Sequence, residues 1–347
     1  MKREGMTVCL GNRVIATFPF FSQFPYFRMI IDWLIAFIVR TLSVFVRWLP
    51  KKVALMLGSG LGHFLYFALR KRRRIALKNL QIAFGDEKSV DEREQICRES
   101  FHNLGKTAIE FLRFCELNFD NIWEEVTVEG KENLIQALDR GKGAIVFLPH
   151  FGNWELLALV YGALIPNRAK AIAFPLKNRY LDAVVSKYRE RLSLELIGRK
   201  QAVRRTLRAL KENFAIGFFA DQNAGREGVF VDFFGKPASA IRGPVTLALK
   251  TDAPIVFSLD VRQPDDRHHV LILPAIDLAI SGDLEQDVQT NTARILKILE
   301  GYIRQYPGQW LWLHNRWKTP PDARWQTKRQ IQRRHLKRDL KCYTHRS

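Results

Sequence analysis

The feature that most constrains this fold is an alternation of short apolar runs with amphipathic segments between Gly143 and Leu273. GAIVFL (Gly143–Leu148) reads as a buried strand and NWELLALVYGAL (Asn153–Leu164) as a helix. Strand AKAIAF (Ala169–Phe174), helix RYLDAVVSKYRERL (Arg179–Leu192) and strand LELI (Leu194–Ile197) follow. Helix QAVRRTLRAL (Gln201–Leu210) precedes strand FAIGFFA (Phe214–Ala220), and helix GPVTLALK (Gly243–Lys250) precedes strands PIVFSLDV (Pro254–Val261) and HHVLIL (His268–Leu273). Near-continuous apolar strands separated by helices imply an α/β layered domain, with a largely parallel central sheet flanked by helices. No repeating period is visible, which removes a solenoid.

Upstream, SVDEREQICRESFHNLGKTAIEFLRF (Ser89–Phe114) has helical spacing, with Ser89 and Glu92 set as a capping box. The N-terminal region differs in kind. Met29–Val46 is apolar apart from Asp32, Arg40, Thr41 and Ser43, close to the roughly 20 residues that a membrane span needs. A second apolar stretch, Val53–Leu69, runs into RKRRR (Arg70–Arg74). Through Arg74 there are thirteen Lys and Arg against two acids, the pattern of an apolar helix followed by a cluster for anionic lipid. No small-residue cleavage site closes the apolar run, so a removed signal peptide is not expected. Two ordinary core helices are the other reading. The expected division is membrane-anchoring helices over 1–80, the α/β domain over 81–321 and a basic tail over 322–347. That tail is either a second contact to an anionic surface or a solvated extension.

The net charge of +20 calls for an anionic partner, such as a membrane surface, an acidic protein or nucleic acid. No nucleic-acid recognition module is present to favour the last. Four scattered cysteines (Cys9, Cys97, Cys115, Cys342) form no CxxC pair, so neither a disulfide framework nor a thiolate metal site is expected, and a reducing compartment fits.

The chemistry gathers at LPHFGNWE (Leu148–Glu155). On one helix His150 and Glu155 would sit about 140° apart and could not face each other. With His150 in the loop and Asn153 as N-cap, Glu155 falls in the first helical turn. From there its carboxylate can reach an imidazole nitrogen, leaving the other free to take a proton. The bland reading is a carboxylate serving the helix dipole. Position favours chemistry, because ligands bind at strand C-termini in open α/β sheets. No nucleophile elbow, phosphate loop or strand-linked GxGxxG accompanies it, and neither His268–His269 nor His314 has metal-ligand spacing. A base without a protein nucleophile implies direct attack by a substrate hydroxyl.

Several blocks in order carry a resemblance: RKRRRIALKNL (Arg70–Leu80), PHFGNWE, FADQNAG (Phe219–Gly225), FFGKPASAIRGPVTLALKTDAPIV (Phe233–Val256) and WLWLHNRWK (Trp310–Lys318). The chain resembles the lipid A biosynthesis acyltransferases, the lauroyl/myristoyl branch of the HX4D/E lysophospholipid acyltransferase superfamily, from about Phe27 to Pro321. The resemblance implies that His150 deprotonates a hydroxyl of a lipid A precursor and that Glu155 orients the imidazole. The oxygen then attacks the thioester of an acyl-acyl carrier protein, beside an anionic bilayer and without a cofactor. By family position, Arg199 is expected to bind an acceptor phosphate or to help neutralise developing charge; Arg242 either contacts a phosphate or caps the following helix. Asp221 stands where many members carry a glutamate, so it is either substrate-binding or packing. Asn153 is either a donor near the thioester or simply the N-cap.

Overall fold

In the computed structural model, residues 25–198 and 201–321 are described. The expected tail, Cys9, Cys342 and Arg199 lie outside them. Four helices come first: α1 (Pro25–Trp48), α2 (Lys51–Ala68), α3 (Arg70–Phe84) and α4 (Val90–Arg113). The Ser89–Glu92 capping box is present at the start of α4. Then come α5 (Ile122–Glu125), β1 (Val126–Glu129), α6 (Lys131–Asp139), β2 (Ala144–Leu148), α7 (Trp154–Leu164), β3 (Ala169–Ile172), α8 (Arg179–Arg189), β4 (Leu194–Ile197), α9 (Ala202–Lys211) and β5 (Ala215–Phe219). The chain continues with β6 (Val229–Phe233), β7 (Lys236–Ala240), α10 (Gly243–Thr251), β8 (Ile255–Arg262), β9 (His268–Ile272) and α11 (Leu284–Gln305).

Seven strands form one sheet in the order β1-β9-β8-β2-β5-β3-β4. Every pair is parallel except β8 with β9, so the expected α/β class with a largely parallel sheet holds. Side chains alternate between the faces with the strand period. Ile145 and Phe147 join one core with Phe257, Leu80, Phe101 and Leu296, whereas Ala144, Val146 and Leu148 join the other with α7.

A separate hairpin, β6–β7, lies in VFVDFFGKPASA, a segment assigned no element from the sequence. Its turn, Phe234-Gly235, has positive φ at both residues (54° and 71°). Left-handed backbone is unusual for phenylalanine. Here it is fixed by Phe234 N–H donating to Glu300 Oε2 (3.0 Å), by Gly235 N–H donating to Asp232 Oδ1 (2.8 Å), and by the Phe234 ring packed near Phe84 and Trp312.

The N-terminal apolar stretches take different environments. Ile30, Trp33, Phe37, Ile38 and Phe45 of α1 are exposed, and Arg28–Trp48 is long and apolar enough to cross a membrane. In contrast, α2 uses Gly58 and Gly62 to press its backbone against Gly105 of α4, the GSGLG sequence serving as a crossing surface. A Cβ on Gly105 would lie 2.1 Å from the Gly58 carbonyl oxygen. Gly105→Ala is therefore expected to destabilise the fold by about 1–3 kcal/mol through overpacking. Gly60→Ala, whose Cβ meets nothing within 4 Å, should stabilise α2 by up to about 1 kcal/mol. Denaturant unfolding of the two variants measures both.

Candidate active site

The site is built by strand register. β2 and β5 are parallel neighbours with Leu148 opposite Phe219, so His150 and Asp221, each two residues past its partner, leave the sheet side by side. His150 Nδ1 lies 2.6 Å from Asp221 Oδ1. The His150 backbone N–H (3.1 Å) and the Trp310 indole N–H (2.9 Å) both donate to Asp221 Oδ2. Asp221 is 2% exposed. Burial alone would raise its pKa, but the imidazole and these donors outweigh that and hold the carboxyl below its ordinary range. An ionised Asp221 accepts the Nδ1 proton, and that tautomer leaves the lone pair on Nε2. Nε2 lies 3.4 Å from Gln222 Nε2. The ring sits beside Trp154 and Phe219, and the side chain keeps 18% of its surface open.

Glu155 does not hold the imidazole. It falls in the first turn of α7 as expected, but its carboxylate forms a two-bond pair with the Arg189 guanidinium of α8, at 2.8 and 2.5 Å. The reason is geometric: α8 offers a planar fork matched to a carboxylate, while Asp221 already occupies Nδ1. Burial disfavours the charged Arg189, yet Glu155 raises its pKa above the usual value, so the pair is ionic and fastens α8 to the start of α7.

Behind His150 the loop is clamped by a buried polar network. Gly152 has φ +56°, and a Cβ there would meet the Asp260 carbonyl oxygen at 2.2 Å. The next N–H, from Asn153, donates to Asp260 Oδ2 at 2.6 Å. That oxygen is also 2.8 Å from His268 Nδ1, and His268 Nε2 lies 3.3 Å from Glu110 Oε1. Arg262 donates to both oxygens of Glu110 at 2.6 and 2.7 Å. Burial works against a charged His268, but the Asp260 and Glu110 carboxylates raise its pKa to about 9. Thus His268 has two carboxylates, Asp260 from the neighbouring strand β8 and Glu110 from α4, which is far from it in sequence.

The other expected positions resolve differently. Asn153 is fully buried: its Oδ1 accepts from Leu156 N–H (3.0 Å) as the N-cap, and its Nδ2 donates to Glu110 (2.8 Å). These contacts make it the N-cap of α7. Arg242 precedes α10, where its side chain pairs with Glu285 and caps nothing. Asp221, expected as substrate-binding or packing, is the imidazole's partner. Sequence reasoning also passed over Gln222, Trp310 and Arg189. The C-terminal block lies along the loop, with Phe151 and Trp310 bridged and Leu311 N–H donating to the His150 carbonyl at 3.0 Å. His314 Nε2 accepts from Asn223 N–H at 3.0 Å, and burial pushes its pKa down to about 4, keeping it neutral.

Comparison with known proteins shows the family to which the chain belongs. The family model described as bacterial lipid A biosynthesis acyltransferase matches residues 20–319. The chain is 30% identical over 292 residues to a lipid A biosynthesis palmitoleoyltransferase of Escherichia coli, covering 83% of this chain and 92% of the relative. It is 28% identical to that organism's lipid A biosynthesis lauroyltransferase, covering 81% and 92%. A phosphatidylinositol mannoside acyltransferase of Mycolicibacterium smegmatis is also 28% identical, covering 66% and 74%.

The His268 cluster sets a pH dependence of stability. Its folded pKa of about 9 exceeds the ordinary 6.5, so its contribution is complete below 6.5 and is lost as pH rises through about 9. Unfolding free energy should fall across that window in the wild type, and this decline should be missing from the less stable His268→Gln. An equal decline in both would remove the cluster as its source.

Proposed function

Since the chain belongs to the bacterial lipid A biosynthesis acyltransferase family, we propose that it is a membrane-bound O-acyltransferase. It moves a fatty acyl chain from acyl-acyl carrier protein to a hydroxyl of a lipid A precursor, with His150 as general base and Asp221 as the group that orients it. The observation that carries this reading is the His150–Asp221 pair at the C-terminal edge of two parallel strands, with Nε2 unblocked by a carboxylate.

His150 Nε2 takes the proton of the acceptor hydroxyl as the oxygen attacks the thioester carbonyl carbon. Charge develops on the imidazole, where ionised Asp221 stabilises it. The tetrahedral adduct collapses, the carbon–sulfur bond breaks, and the imidazolium returns its proton to the departing thiolate. An ester and a free carrier thiol result, with no acyl-enzyme. In this scheme the fifth-position carboxylate, Glu155, acts by holding Arg189 and α8 rather than by touching the imidazole.

The exposed apolar α1 supports attachment to a bacterial inner membrane, with the catalytic domain (81–321) on the cytoplasmic side, where an acidic carrier protein would meet a chain of +20 charge. The basic tail is assigned a second contact with the anionic surface. The likeness to a phosphatidylinositol mannoside acyltransferase favours one second reading, in which the same dyad serves another glycolipid hydroxyl.

Purified protein assayed with acyl carrier protein thioesters and lipid A precursor tests the mechanism. His150→Ala should lower kcat on the order of 10²–10⁴-fold. Asp221→Asn should lower kcat and change the pH–rate limb belonging to His150, whereas Glu155→Gln should keep that limb; the opposite pattern would return Glu155 to the imidazole. Mass spectrometry of lipids from cells lacking the protein decides the acceptor, and unchanged lipid A acylation overturns the first choice.

A further inference from the structure

Besides meeting α7 through Arg189, α8 runs beside α1. Asn178, the N-cap of α8, donates to the Asp32 carbonyl of α1 at 2.9 Å. Near the other end of α8, Tyr188 and Lys187 lie with Arg47 around the same groove, of about 900 Å³. One wall is apolar and exposed, carrying Trp33 and Phe37 of α1. Four cations also line it: Arg40 and Arg47 from α1, Arg179 and Lys187 from α8. No aspartate or glutamate lines it.

The charges are uncompensated. Among the described residues, none of the four cations has a carboxylate in salt-bridge range. Arg179 donates to the Tyr180 hydroxyl at 2.7 Å and lies over that ring, which orders its guanidinium without neutralising it. Arg47 Nε is buried and has no hydrogen-bond partner. A buried guanidinium donor left open is costly unless something supplies an acceptor, and phosphate matches guanidinium geometry. Arg262 and Arg189 are met by carboxylates, at Glu110 and Glu155, whereas this acid-free groove gathers four cations that are not.

We infer that this groove binds the phosphate headgroup of an anionic glycerophospholipid of the bilayer, with the lipid's chains against Trp33 and Phe37. The lipid assignment comes from the apolar wall, which belongs to the helix most exposed in apolar residues and continues its surface. A soluble anion would have no use for that wall. The volume suits one small headgroup and the upper part of its chains. This inference rests on the membrane attachment proposed for α1 and needs no part of the His150 chemistry. Because α8 also carries Arg189, a lipid seated there would steady the helix that Glu155 grips.

Native mass spectrometry of the full chain in a non-ionic detergent, titrated with dioleoyl phosphatidate, tests the site. Wild type and His150→Ala should retain one phosphatidate with equal affinity. The double variant Arg47→Gln/Arg179→Gln should bind it at least about tenfold more weakly, the loss of one charge-assisted contact being worth about 1.4 kcal/mol or more. Should Arg47→Gln fail to fold, the exposed pair Arg40→Gln/Arg179→Gln carries the same expectation, with Arg204→Gln/Arg208→Gln on α9 as the charge-matched control that binds normally. Equal retention by the groove variants, equal retention of dioleoylglycerol, or displacement by equimolar inorganic phosphate would each overturn the assignment. So would variants that keep phosphatidate but lose affinity for acyl carrier protein, which would make the groove a protein contact. Loss of acyl transfer with phosphatidate retention intact would count against the proposed function and leave the groove standing.

Discussion

One carboxylate oxygen, Asp260 Oδ2, holds the turn on which the chemistry depends. It accepts from the Asn153 backbone and lies against His268, so the residue that starts α7 is tied to the middle of the sheet. Gly152 is required beside it because no side chain fits against the Asp260 backbone. The cost of burying Asp260, Glu110, His268 and Arg262 together is offset only because each charge meets its opposite at hydrogen-bond distance. The result is a His150 backbone fixed from below by the network and from the side by Leu311. A general base gains from such rigidity, since its nitrogen must stay within hydrogen-bond reach of a hydroxyl.

Charge also works across the face of the dyad. Arg316 is fully buried and donates to the Ser239 carbonyl, with its guanidinium over the Phe233 ring. Burial lowers its pKa to about 10, which still leaves it charged at neutral pH. Its field falls on Asp221 and favours the ionised carboxylate that the dyad needs. The same molecule therefore uses three kinds of cation: paired ones that brace the loop, a buried one that biases a carboxylate, and open ones along α1 and α8.

Much of the fold was legible in the residues. The strand–helix alternation was carried by unbroken apolar runs, and the capping box of α4 and the N-cap at Asn153 were correctly marked by local side-chain chemistry. His150 and Asp221 were both singled out, but their pairing was not, because it depends on β2 lying next to β5 across two intervening units. Strand order is a long-range property that a short motif does not encode. Glu155 misled for the opposite reason: it is near His150 in sequence, whereas Arg189, thirty-four residues on, has the better geometry. The β6–β7 hairpin escaped because its turn is Phe-Gly rather than a residue pair that favours left-handed backbone, and Glu300 from α11 stabilises it from afar.

The order of the segments along the chain has its own meaning. The exposed helix α1 comes first, His150 lies near the middle, and the indole that secures Asp221 belongs to Trp310, close to the end of the described residues. Synthesis proceeds from the N-terminus, and contacts of long sequence separation close late. A growing chain therefore displays its apolar helix well before the dyad can be completed. Such an order separates arrival at a surface from the onset of chemistry, so that a half-made polypeptide holds its histidine without the architecture to use it.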